Sequence, residues 1–152
     1  MDRATEDERF CERFRGNRPR PATAAQLDES EGKLGVVWPE SFRRFAETYG
    51  PVYSPELLDL AAARQPGFSA VQQFFTPKQT ATETRRWRLA EAGGVTAFAA
   101  DASGNWFVFR GLLARLPRPD DAPLGLFDLE AGAVTEEVGS FDEWLGRFLA
   151  LV

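Results

Sequence analysis

Few residues in this 152-residue chain could carry chemistry. There is no histidine, and Cys11 is the single cysteine. That removes Ser-His and Cys-His nucleophile pairs, the commonest general base near neutral pH, and every His-containing metal site. One cysteine cannot build a zinc site either. What remains is carboxylates, Ser, Thr and Tyr hydroxyls, arginines, and the only two lysines, Lys33 and Lys78. The pairs Asp120/Asp121 and Glu136/Glu137 could in principle supply acid–base chemistry. Adjacent residues of an extended segment point in opposite directions, however, so neither pair converges on one substrate atom. No Gly-rich phosphate loop, G-x-S-x-G elbow or S-x-x-K is present. No catalytic residue, metal ligand or cofactor is therefore assigned, and the reading is a binding protein rather than an enzyme.

Three short motifs have plainer explanations. Asp101-Ala102-Ser103-Gly104-Asn105 resembles the start of a calcium loop, but Trp106 and Leu112 stand where an EF-hand needs Gly and Glu. A hairpin turn is the better reading. Gly32-Lys33-Leu34-Gly35 fits the GXXG pattern of RNA-binding KH domains, but with an acidic balance it is better read as a helix end. Arg85-Arg86-Trp87-Arg88 places cations beside an aromatic, as a helix does when Trp87 faces the core and the arginines face water.

Charge has a direction along the chain. Through Phe98 the 14 acidic and 14 basic side chains cancel; from Ala99 onward 9 acids face 4 bases, which accounts for the net −5. An acidic last third disfavours direct binding to a phosphate backbone and attracts a cationic protein. A solvated acidic surface that aids solubility is the plain alternative. No stretch approaches the ~20 apolar residues of a membrane span. The acidic first residues do not read as a signal peptide, and a lone cysteine fits a reducing compartment, so a cytoplasmic protein is expected.

These side chains must be positioned by recognisable elements. Residues 5–15 suit a short helix with Phe10, Cys11 and Phe14 on one side; Arg18-Pro19-Arg20-Pro21 then breaks it. Residues 1–22 are read as an N-terminal helix and Pro-rich connector appended to a domain over 23–152. Thr23 and Gln26 have capping-box spacing for a second helix ending near Gly35. Pro39 opens a third, with Phe42, Phe45, Ala46 and Tyr49 on one face and Gly50-Pro51 as its stop. Residues 51–77 are ambiguous: Val52-Tyr53 reads as a short strand, 57–63 as a helical turn or irregular, and 67–75 as strand or helix. A helix is expected over 76–92. Strands follow at 95–101 and 105–110, then at 124–130 and 134–138 around Ala131-Gly132. Ser140 and Glu143 begin a final helix whose Phe141, Trp144, Leu145, Phe148, Leu149 and Val152 form one apolar stripe. Helices, then strands, then a closing helix predict a single α+β domain with a largely antiparallel sheet flanked by helices.

Two stretches carry a family resemblance. Glu31 through Phe45, with its Leu34-Gly35 step, Trp38-Pro39 and amphipathic helix ending at Gly50, resembles the opening signature of the SUKH superfamily. Phe98–Asp101, Gly104-Asn105, Leu126–Glu130 and Ser140–Leu145 are similar to its strand–turn–strand, later strand and C-terminal helix. Trp38 stands where Leu is usual, and Asp-Leu-Glu where many members carry Asp-His-Glu. The resemblance implies an α+β domain, and most bacterial members are immunity proteins of toxin–antitoxin and interbacterial competition systems. They neutralise a cognate toxin, often a nuclease or deaminase; a eukaryotic branch regulates cell-wall assembly by protein binding. The expected function is thus a toxin inhibitor that occludes the active site of a basic toxin. The alternative is a regulatory or scaffolding module that recruits an endogenous partner. No direct nucleic-acid or membrane contact is expected. Asp120, Asp121, Asp128, Glu130, Glu136 and Glu137 are the acids expected at the toxin interface, with Trp106 or Trp38 as an aromatic anchor if exposed.

Overall fold

The capping box expected at Thr23 forms in full. Thr23 Oγ1 accepts the Gln26 N–H at 3.1 Å, and Gln26 Oε1 accepts the Thr23 N–H at 2.9 Å. Helix α2 (Ala24–Leu34) runs from it and ends where Gly35 takes the left-handed φ of 66°, closing the last turn with a 2.8 Å bond to the Glu31 carbonyl. The GXXG stretch is therefore a helix end. Helix α3 (Glu40–Tyr49) follows Pro39 and stops at Gly50. The computed structural model describes residues 5–18, 20–86, 94–112 and 117–152.

The remaining helices are α1 (Glu6–Phe14), α4 (Glu56–Arg64), α5 (Pro77–Arg86) and α6 (Phe141–Leu149). Five strands, β1 (Val71–Phe74), β2 (Val95–Asp101), β3 (Trp106–Arg110), β4 (Leu124–Asp128) and β5 (Ala133–Val138), form an antiparallel sheet in the order β1-β2-β3-β4-β5. The α+β class and antiparallel sheet are as the sequence predicts.

The middle of the chain resolves into definite elements. Residues 57–63 belong to helix α4, the 67–75 segment becomes a four-residue strand, and Tyr53 contributes a single bridge to Gln73. The helix expected over 76–92 is seen to Arg86; Trp87 and the rest of that segment lie outside the described residues.

One face of the sheet carries the main core. Phe74, Phe98, Phe107 and Phe109 meet Phe42 and Phe45 of α3 and Phe141, Trp144 and Phe148 of α6. Ring pairs such as Phe98–Phe109 (4.4 Å) and Phe45–Phe74 (4.8 Å) stack, and most others tilt or meet edge-on. On β3, Trp106 and Val108 alternate with Phe107 and Phe109 and so point to the opposite face, where they join Val95, Ala97 and Phe127.

Helix α1 is no appendage. Phe10, Cys11 and Phe14 are buried in the main core, and Phe10 meets Phe45, Phe74 and Phe148 at 5.9–6.5 Å. Full burial of Phe10 alone contributes about 2 kcal/mol. The proline-rich connector is strapped to α3: the Ala22 N–H bonds the Ala46 carbonyl at 2.9 Å, and the Arg20 N–H bonds that of Tyr49.

Candidate functional site

Among the hydrogen bonds of the described residues, the densest set converges on the Glu31 carboxylate of α2. The Glu31 carboxylate accepts the Trp38 N–H at 2.8 Å and Arg43 Nη1 at 3.2 Å, and it is paired with Arg118. Arg118 also donates to the Trp38 carbonyl at 2.7 Å and faces Glu40 at 3.4 Å. Arg43 reaches Asp28 at 2.8 Å. With Glu31 and Arg43 only 12% and 10% exposed at the side chain, this is a buried network joining α2, α3 and the 117–123 loop. Its satisfied pairs give it a structural role. Trp38 is fully buried, its indole N–H donating to Ser30 Oγ at 2.9 Å, and Trp106 is buried on the second face. Neither is an exposed anchor.

Five of the six acids expected at an interface divide between two ends of the sheet. Asp120, Asp121 and Glu137 lie where β4 and α6 begin. There Asp121 accepts the Phe141 and Asp142 N–H groups at 2.8 and 3.3 Å, capping α6 from outside the helix. Glu137 pairs with Arg110 at 3.0 Å, and Asp120 is exposed, its carbonyl taking the Ser41 N–H. Glu136 is committed elsewhere. It has a left-handed φ of 50°, and its carboxylate takes the Ser69 N–H at 2.8 Å and Oγ–H at 2.6 Å. Ser69 precedes one edge strand and Glu136 sits on the other, so the clasp ties the two edges together. Two charge-assisted hydrogen bonds offset the roughly 1–2 kcal/mol of backbone strain.

Asp128 and Glu130 lie at the other end. In an antiparallel meander the β2–β3 and β4–β5 turns fall on the same side, and the Leu129 N–H donating to Asn105 Oδ1 at 3.2 Å links them. This brings in Asp101, which was not among the expected acids. Each turn is built around one aspartate: Asp101 Oδ1 accepts the Ser103 and Asn105 N–H groups, both at 2.9 Å, and Asp128 Oδ1 accepts those of Glu130 and Ala131 at 2.9 and 3.2 Å. One oxygen of each carboxylate thus shapes its turn, while Glu130 is exposed beside them. Neither turn contains a cation. Leu129 (37% exposed) stands among the acids, and Leu58 (45%) borders a cleft of about 170 Å³ formed with Asp101, Ala102 and Ser103. Rigid carboxylates around small apolar contacts can recognise a basic protein surface. Asp101 was legible in part: the turn was read from sequence, and its neighbour follows from strand order.

Other reactive groups are tied down. Cys11 is buried, and burial pushes its thiol up to about 12. Burial, and then the nearby Asp121 carboxylate, raise Asp142 above its ordinary range, against the pull of Arg44 at 3.4 Å. Among the described residues no group of three or more His, Cys, Asp or Glu side chains is placed to hold a metal ion, and no helix is long and apolar enough to cross a membrane.

The model of the SMI1 / KNR4 family (SUKH-1) matches residues 21–147, from the end of the strap almost through α6. Helix α1 therefore adds core outside the matched region. No curated protein and no solved structure matches the chain.

Proposed function

We propose that this chain, which belongs to the SMI1 / KNR4 family (SUKH-1), is an immunity protein that binds a cognate toxin and covers its basic active-site groove. The observation that carries this reading is the acidic end of the sheet, where two coupled turns hold Asp101 and Asp128 in fixed positions beside Glu130 and Leu129. A toxin that acts on nucleic acid needs a cationic groove, and preset carboxylates match such a groove without a cost in ordering. Like charges gathered on one surface also steer the encounter. Leu129 and Leu58 supply the apolar contacts that a purely ionic surface lacks.

The test is co-expression with the toxin encoded beside its gene. The expected result is restored growth of the host and a complex that survives gel filtration. Continued killing by every adjacent toxin, with no complex formed, would remove the basis of the reading.

A further inference from the structure

The chain's only two lysines line one cavity. Helices α2 and α5 lie side by side: Gln26 and Pro77 near their starts share the cavity wall, and near their ends Arg85 Nη2 donates to the Lys33 carbonyl at 2.8 Å. The space between them, about 430 Å³, is flanked by Lys33 from α2 and Lys78 from α5. A second cavity of about 230 Å³ shares Gln26, Thr76 and Pro77 with the first and adds Arg20. The two adjoining cavities, taken together as one groove, thus carry three cations: Arg20, Lys78 and Lys33.

This groove is cationic on a chain whose net charge is −5. Among the described residues its one lining carboxylate is Glu29, held by Lys33 at 3.2 Å in an exposed pair one helical turn apart. Such pairs are weak and readily exchanged for an incoming carboxylate. Lys78 is exposed and makes no ion pair among the described residues. No aromatic side chain among them lines either cavity, so the stacking platform used for single-stranded nucleic acid is missing.

We infer that the α2/α5 groove binds an extended acidic peptide segment of a partner protein, on a surface separate from the acidic end of the sheet. The peptide carboxylates engage Lys33, Lys78 and Arg20 in turn.

The two lysines also provide the readout. Reductive methylation with ¹³C-formaldehyde keeps their charge and gives two lysine NMR signals, apart from any terminal amine. Titration of the full chain with a heptaglutamate peptide is expected to shift both signals along one saturating curve. Lys33→Gln and Lys78→Gln should each weaken binding by about two- to fivefold, and 0.5 M salt should weaken it further. Arg64→Gln, which removes the same charge at an exposed position of α4, should leave the curve unchanged. Unmoved lysine signals, or equal weakening by Arg64→Gln, would overturn the inference. So would an oligothymidylate of matching charge binding as tightly as the peptide, which would point to nucleic acid instead.

Discussion

Replacing Glu31 by Ala tests whether the buried network holds the fold together. Glu31 accepts from the Trp38 N–H, from Arg43 and from Arg118, with its side chain 12% exposed. Alanine leaves the Trp38 N–H unpaired, which costs about 1–3 kcal/mol. It also leaves the buried Arg43 guanidinium with only the exposed Asp28 and the Ala24 carbonyl. Breaking a buried ion pair from one side costs about 3–5 kcal/mol. The two costs overlap, so the expected loss is about 4 kcal/mol, a large part of the roughly 5–15 kcal/mol that holds a domain of this kind. Glu31→Gln keeps an acceptor for Trp38 and should lose about half as much. Arg118 is more exposed, so Arg118→Ala should cost less, and the double variant should show at least about 1 kcal/mol of coupling. Urea unfolding followed by tryptophan fluorescence measures each value. A loss below about 1 kcal/mol for Glu31→Ala, with an unchanged denaturant slope, would refute the reasoning.

Two further predictions follow from local geometry. Gly50 has φ 72°, and a Cβ there would sit 1.9 Å from the Arg20 carbonyl oxygen, so Gly50→Ala should cost at least about 3 kcal/mol and lower Tm by about 10 °C; a Tm within 2 °C of the parent, roughly, would contradict it. Because the folded protein holds the Asp142 proton more tightly than the unfolded chain, ionised Asp142 costs stability above its folded pKa. That cost is relieved as pH falls from there toward the ordinary 3.8. Asp121→Asn keeps an acceptor for the α6 N–H groups but removes the like charge, so the Asp142 midpoint should move down in a carboxyl NMR titration. An unmoved midpoint would count against the pairing.

What could be read from the sequence followed from local rules. The Thr23 box, the stop at Gly50, the two hairpins and the apolar stripe of α6 each depend on residues within one or two turns, and each formed, except that Val152 falls beyond the helix and is exposed. The α6 cap differs in detail: Ser140 Oγ takes the Glu143 N–H, while the Glu143 carboxylate reaches back to Gly139 rather than to Ser140. Helix α1 formed where expected, but its packing on the domain was not legible, because its partners Phe45, Phe74 and Phe148 are distant in sequence and no local signal names them. Strand β1 is four residues long with Gln72 and Gln73 at its middle, so no local pattern marks it, and its pairing with the distant β2 makes it a strand. The acids were legible as a charge and not as a surface. Asp121, Glu136 and Glu137 look like any surface acids until the fold places a helix end, Ser69 and Arg110 beside them. Glu31 was visible as part of a signature, but its reason appeared only when Arg118, 87 residues on, closed over it.

The central claim is that the acidic end of the sheet meets the partner. Asp101→Asn, Asp128→Asn and Glu130→Gln together remove three charges, and asparagine preserves the oxygen that shapes each turn. Association of this variant with the adjacent toxin, followed by stopped-flow fluorescence across a salt series, is the most direct measurement. The account predicts that the on-rate falls by about tenfold or more at low salt and loses most of its salt dependence, with the fold unchanged by circular dichroism. An on-rate and salt dependence equal to those of the parent chain would contradict it.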